Sequence, residues 1–288
     1  MVDVLLIGTM GNIAQTVRSS LEAHGLSVAE APFPQNIFRD YFGYGSLLRR
    51  TLAQLTPRVI FPIGCATALS KLKPSVPAGI AVPVDDEEKM LLLDSKVRSS
   101  ALAAELGIRQ PLIYESIPDE DAFPLIFKRD VSFGGQGVHW PRSSAALLNL
   151  IEHQRKGEPY LIEEYVPGED YSVDVIRWDS FFKASCYKTL SQQGKGPSRT
   201  RISVANTELE DIAYRILSHL DYKGVCGMDF RIAPDGATYF MECNPRFTGG
   251  LESSIAAGFD IPYILWQLAT GENPSAGSIT VKPGIITG

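Results

Sequence analysis

The chain has 288 residues, 44% hydrophobic and 21% charged, a globular balance with enough apolar material for more than one core. A net charge of −6 gives no support to bulk nucleic-acid binding, and no apolar run approaches the ~18 residues that a membrane span needs. The opening MVDVLLIG carries Asp3 and no cationic start, which excludes a signal peptide from the reading, and Cys65, Cys186, Cys226 and Cys243 form no CxxC, as expected of a reduced cytoplasmic protein without structural zinc or disulfides.

Residues 3–8 (DVLLIG) read as a buried strand, 12–24 as a helix ended by Gly25, and LSVAEA as a second strand. This strand–helix–strand opening predicts a parallel α/β sheet, which RVIFPIG (58–64) extends. Gly8 and Gly11 admit a dinucleotide-binding turn with Glu30 as a ribose acid. Met10, however, stands where the G-x-G-x-x-G form needs glycine, and an ordinary tight turn is the competing reading. A first domain is expected to end near residue 90, at the polar cluster DDEEK.

Beyond it the pattern changes. A helix is expected over 95–106, a strand over 124–130, a helix over 144–154, and a strand in PYLIEEYV that leads into Pro167-Gly168. Paired strands 169–178 and 181–190 then flank Asp179-Ser180, followed by a helix at 207–219 and strands at 225–233 and 238–244. Helices mixed with antiparallel hairpins make this part α+β.

The last two strands flank Asp235-Gly236, a two-residue hairpin signal. Centred there, the turn pairs Asp229 with Glu242 and Gly227 with Asn244. It places Met228, Phe230, Ile232, Tyr239, Met241 and Cys243 on one apolar face, and Asp229, Arg231, Phe240, Glu242 and Asn244 on the other. A three-residue loop with a bulge would shift this register, and the apolar pattern favours the two-residue form. Like charges directly opposite are unfavourable, and a divalent cation between them removes the problem. Glu242 and Asn244, roughly 6.6 Å apart along the strand, can flank such an ion. Oxygen donors suit Mg²⁺ or Mn²⁺, and Mg²⁺ with one or two carboxylates implies phosphate oxygens, hence a nucleoside triphosphate. The competing reading is a solvated polar face with Arg231 neutralising the acids.

Other segments also call for a phosphate. Lys128 ends a strand just before a glycine-rich loop holding Gly134, Gly135 and Gly137, whose backbone can approach an anion. The P-loop pattern is absent. Lys96 starts a helix in LDSK, where a solvated lysine is the default. EEYVPGE (163–169) sets carboxylates at a strand end, otherwise an exposed turn. KTLSQQGKGPSRTR (188–201) carries four cations and no acid, and reads as a lid or as a solvated loop.

In order, Lys96, Lys128 with FGGQG, EEYVPGE, Asp229 and ECNPR resemble the ATP-grasp superfamily, in the style of its carbamoyl-phosphate-synthase-like and carboxylate–amine ligase members. The resemblance implies a Rossmann-like domain over residues 1–90 and a two-part core with antiparallel sheets, its smaller part over 91–160 and its larger over 161–288. It implies phosphate contacts from Lys96 and Lys128, with Gly134, Gly135 and Gly137 over the phosphates. Adenine would be lined by Glu163, Glu164 (often lysine in the family) and Val166, and ribose held by Glu169. Asp229, Glu242 and Asn244 would hold magnesium, and Arg246 would stabilise the transferring phosphoryl group. Arg199, Arg201, Thr248 and Gly249 border the expected substrate pocket.

The implied activity is an ATP- and Mg²⁺-dependent joining of a small carboxylate to an amine through an acyl phosphate. Activation of bicarbonate and a non-catalytic ATP-binding regulatory subunit are the alternatives, and an NAD-binding protein is a further one resting on Gly8 and Gly11. Small-molecule partners are expected, with no nucleic acid and no membrane. A homodimer would be the commonest assembly. Neither a further C-terminal substrate domain nor a biotin-carrier segment is expected.

Overall fold

The computed structural model describes residues 2–8, 11–33, 41–132, 135, 137–192 and 198–288. Val4 to Ile7 are all sealed from solvent, as an uninterrupted apolar run predicts for a strand covered on both faces. This is β1 (Val2–Gly8). It is followed by α1 (Asn12–Ala23), β2 (Val28–Pro32), α2 (Tyr41–Gln54), β3 (Pro57–Ile63) and α3 (Ala66–Leu72). The three strands form a parallel sheet in the order β2-β1-β3.

Gly8 is glycine because of packing. Its φ is +122°, and a Cβ there would lie 2.2 Å from the Ile63 carbonyl oxygen. Glu30 does not stand free as a ribose acid would, since Arg18 Nε binds it at 2.8 Å. Thr9 and Met10 lie outside the described residues.

The polar cluster at 85–89 starts a helix. Asp86 caps α4 (Glu87–Asp94) by accepting from Lys89 N–H, and Ser95 caps α5 (Lys96–Glu105) by accepting from Arg98 N–H. Then come β4 (Leu125–Arg129), β5 (Val138–His139), α6 (Ser144–Glu152) and β6 (Tyr160–Glu164), the strands forming an antiparallel sheet in the order β5-β4-β6. The rest is β7 (Glu169–Trp178), β8 (Phe181–Gln192), β9 (Ser198–Val204), α7 (Thr207–His219), β10 (Gly224–Ile232), β11 (Thr238–Asn244), α8 (Leu251–Ala256), α9 (Ile261–Ala269) and β12 (Ile286–Thr287). These six strands form an antiparallel sheet in the order β11-β10-β7-β8-β9-β12.

Two cores weld the parallel sheet to the large one. Leu5, Ile7 and Ile60 pack in one cluster with Val173, Val175, Met228, Phe230, Phe240 and Cys243. Val4, Leu6 and Phe61 pack in another with Ile176, Val225, Phe247 and α9. The four cysteines are buried and unpaired. Among the described residues no helix is long and apolar enough to cross a membrane.

The β10–β11 hairpin corrects one expectation. Ile232 pairs with Thr238, and Ala233 N–H reaches the Ala237 carbonyl at 2.9 Å, so the turn holds three residues, Pro234-Asp235-Gly236, with Gly236 at φ +86°. A bulge at Met241 then restores the register, and Asp229 faces Glu242 and Gly227 faces Asn244 as expected. Between turn and bulge the faces are exchanged relative to the two-residue reading. Phe240 pairs with Phe230, both about 1% exposed with ring centroids 5.9 Å apart, while Tyr239 moves opposite Arg231.

Phe240→Ala should therefore cost about 3–5 kcal/mol of unfolding free energy, and Tyr239→Ala about 1 kcal/mol or less. Urea titration of both variants checks this, and the reverse ranking would restore the two-residue register.

Candidate functional site

Pairing carries one face of the large sheet across five strands. Glu242, Asp229, Ser172, Tyr187 and Ser203 stand in one cross-strand row, and Asn244, Gly227, Asp174 and Ser185 in the next. Polar residues therefore collect at one end of this face, while Val225 and Ile176 on the same face continue into the core beneath α9.

Asp229 and Glu242 lie half-buried side by side. Burial and the negative charge of Glu242 push Asp229 up to about 8. Burial acts on Glu242 in the same direction, but the Lys96 and Lys128 cations outweigh it and hold Glu242 below the usual carboxylate range. The two acids are thus pushed apart by their shared site. Asn244 donates from Nδ2 toward Asp229 Oδ2 (3.3 Å) and Glu242 Oε1 (3.4 Å), while its oxygen accepts from Arg246 Nη2 at 2.6 Å. The amide thus presents its electropositive end to the acids. Arg231, the competing neutraliser, binds Asp170 at 2.9 Å instead.

Cations from three other places converge here. Lys96, at the first turn of α5, is only 5% exposed and lies 3.2 Å from Glu242 Oε2. Lys128, on β4, is equally buried and pairs with Glu163 at 2.6 Å, so Glu163 turns its carboxylate to this lysine. Arg246 follows the strand end at Pro245 and is clamped by Asp94 Oδ1 at 2.7 Å, with Thr67 on the other carboxylate oxygen at 3.2 Å.

The remaining expected residues are distributed around this centre. Gly135 has φ +73°, and a Cβ on Gly137 would come within 2.7 Å of Ser132. Gly134 lies outside the described residues. Glu164 is spent on the segment between α5 and β4, accepting Leu112 N–H at 3.0 Å. Val166 is buried, with its carbonyl accepting from Arg231 at 3.1 Å. Glu169 is exposed and pairs with Lys188 at 2.8 Å.

Arg201 is not part of an open lid. It is buried in β9, stacked 4.5 Å from the Tyr187 ring centroid, and bonded to Ser172 at 2.8 Å and to the Gly250 carbonyl. A Cβ on Gly250 would lie 1.4 Å from its guanidinium, so only glycine admits it. The Arg199 side chain and residues 193–197, the middle of the expected lid, lie outside the described residues. Thr248 binds Asp174 at 2.7 Å and rests on Gly227, where a Cβ would meet its methyl group at 2.1 Å. Gly249 is exposed and faces open space.

Sequence reading missed Asp94, Asp130 and Asp174. Asp174 offered a signal, being an acid within the apolar half of its strand; it is 3% exposed and accepts from Thr248 and Ser254 at 2.7 Å each.

Two carboxylates with a neighbouring amide are a donor set that fits Mg²⁺ when ligand phosphates and water complete the shell. Among the described residues no cluster of three or more His, Cys, Asp or Glu is close enough to form an all-protein cage.

Because the Lys128–Glu163 pair is buried, Glu163→Gln should destabilise the fold by about 3–5 kcal/mol by stranding an ammonium. Adding Lys128→Met should recover part of that loss, and denaturant unfolding of the single and double variants measures the coupling.

A family model described as "ATP-grasp in the biosynthetic pathway with Ter operon" matches residues 156–286. The large chain of carbamoyl phosphate synthase from Thermoanaerobacter sp. (strain X514) is 24% identical over 208 residues, covering 65% of this chain and 19% of that one, so the present chain spans about a fifth of that relative. The biotin carboxylase domain dimer of Hydrogenobacter thermophilus 2-oxoglutarate carboxylase, solved with MgADP and bicarbonate, superposes at a TM-score of 0.78 with 17% identity, over 98% of this chain and 73% of that one. An L-amino acid ligase from Bacillus licheniformis superposes at 0.75 with 15% identity, over 97% and 77%.

Proposed function

The chain belongs to the ATP-grasp superfamily, and on that premise we propose that it is an ATP-dependent ligase that activates a small carboxylate as an acyl phosphate and joins it to an amine. The observation that carries this reading is the convergence of Lys96 from α5, Lys128 from β4 and Arg246 from the segment after β11 around the Asp229–Glu242 pair and its neighbour Asn244. An apo protein gains little by burying so many charges. A polyanionic nucleotide with its cation would compensate them all.

In this reading residues 1–90 are the Rossmann-like domain preceding the core, 91–160 the smaller part of the core, and 161–288 the larger. Lys96 and Lys128 bind the phosphates as point charges. Gly135 and Gly137 let backbone N–H groups reach the same oxygens. Glu163, Glu164 and Val166 border the adenine and Glu169 the ribose. Asp229 and Glu242 would hold Mg²⁺, with Asn244 beside them, and a bound ion would supply charge neutralisation between phosphate oxygens. Arg246, held by Asp94, aims its guanidinium at the transferring phosphoryl group, and Arg201, Thr248 and Gly249 surround the acceptor. Positioning and charge complementarity are what phosphoryl transfer needs most. The carboxylate oxygen attacks the γ-phosphorus as the bond to the bridging oxygen of ADP breaks. The amine then displaces phosphate from the acyl carbon and loses a proton.

A second reading takes bicarbonate as the carboxylate. It is favoured by the extent of the match to a carbamoyl phosphate synthase and by the superposition on a biotin carboxylase domain solved with bicarbonate. That domain is a dimer, and a homodimer in the cytoplasm fits the present chain as well.

Glu242→Gln should abolish Mg-ATP turnover while leaving the circular dichroism spectrum unchanged; full activity in that variant would refute the cation assignment. Lys128→Ala should weaken ATP binding by roughly ten- to a hundredfold, read by calorimetry. ADP release scanned across acid and amine pairs, with bicarbonate as a separate arm, decides between the two readings.

A further inference from the structure

Asp130 is half-buried and serves in none of the roles assigned so far. It stands just past the end of β4, two places after Lys128. Its carboxylate reaches the start of α5, where Oδ1 accepts Val97 N–H at 2.9 Å and the Ser95 hydroxyl at 2.8 Å, and Oδ2 lies 3.0 Å from the same hydroxyl. Its backbone carbonyl accepts Lys96 Nζ at 3.2 Å, and that ammonium is 3.2 Å from Glu242 Oε2. Its own N–H is bonded to the Pro159 carbonyl at 3.0 Å. One residue thus ties β4 to the segment before β6 and to the helix that carries Lys96.

The bonding leaves little freedom. The Ser95 oxygen already accepts Arg98 N–H at 3.1 Å, so its proton must go to an acceptor, which Asp130 supplies. Val97 N–H belongs to the first turn of α5, where no intrahelical carbonyl is available, and a negative charge there also complements the helix dipole. Lys128 and Asp130 are two residues apart on an extended chain, roughly 6.6 Å. Fixing Asp130 on α5 therefore fixes the spacing of the two buried lysines.

We propose that Asp130 is a positioning residue that locks Lys96 and Lys128 into a single phosphate-binding register. The inference rests on the nucleotide reading of the site given above. It predicts that losing the carboxylate weakens binding of the phosphates and spares binding of the nucleoside.

Calorimetry with Mg-ATP and, separately, with adenosine on the wild-type chain, Asp130→Ala and Asp130→Asn tests it. Asp130→Ala should lose on the order of tenfold or more in ATP affinity while adenosine affinity stays within about twofold, because the misplacement is confined to the lysines. Asp130→Asn keeps an acceptor oxygen for Val97 N–H and should recover part of the loss. If Asp130→Ala fails to fold, Asp130→Asn carries the same comparison at reduced amplitude. Unchanged ATP affinity in the variants, or an equal loss for ATP and adenosine, overturns the positioning role alone. A wild-type chain that binds adenosine but gains nothing from the phosphates overturns the nucleotide-phosphate reading, and this inference with it.

Discussion

Two carboxylates held directly opposite each other on neighbouring strands are the constraint around which this molecule is arranged. Asp229 and Glu242 repel, and the chain answers by sending one lysine from a helix start and another from a second sheet to the same place. Each recruited cation then needs its own support. Lys128 has Glu163, Arg246 has Asp94, and Asn244 turns its amino group to the acids because Arg246 takes its oxygen. The result is an alternating lattice of charges in which few members could be removed without stranding another.

That lattice explains why the parallel sheet is welded to the large sheet through both of its faces. Thr67 on α3 holds Asp94, Asp94 holds Arg246, and Arg246 holds Asn244. A rigid seat is required for such a chain, and the two apolar clusters that span both sheets provide it. Charge placement and core packing are solved by the same contacts.

Much of this was legible in the sequence because its signals are local. The strand at Glu169–Trp178 and the helix at Thr207–His219 were read with the boundaries observed, since period and turn residues decide such elements. The acid pair was legible from residue alternation, although the turn and the exchange of Tyr239 with Phe240 were not. Choosing between a two- and a three-residue loop depends on which aromatic the distant core accepts, and no local pattern carries that. Helix α2 escaped notice because Gly43 and Gly45 argue against helix, and tertiary packing overrides that preference. Asp94, Asp130 and Asp174 were missed for a related reason. Their partners lie 152, 35 and 74 positions away, and an isolated aspartate in a sequence does not reveal what it will meet.

The bulge at Met241 has a bearing on how this chain can diverge. A hairpin with an odd turn and no bulge would deliver Glu242 to the apolar face, and an even turn with the bulge would do the same. The two irregularities cancel, so alignment of the acids depends on the parity of their sum rather than on either alone. Single-residue insertions on one side of Phe240 would be lethal to the site, whereas a matched change on the other side would restore it. Among descendants of this sequence, turn length and bulge should therefore be inherited as a linked pair, even where every side chain between them has been replaced.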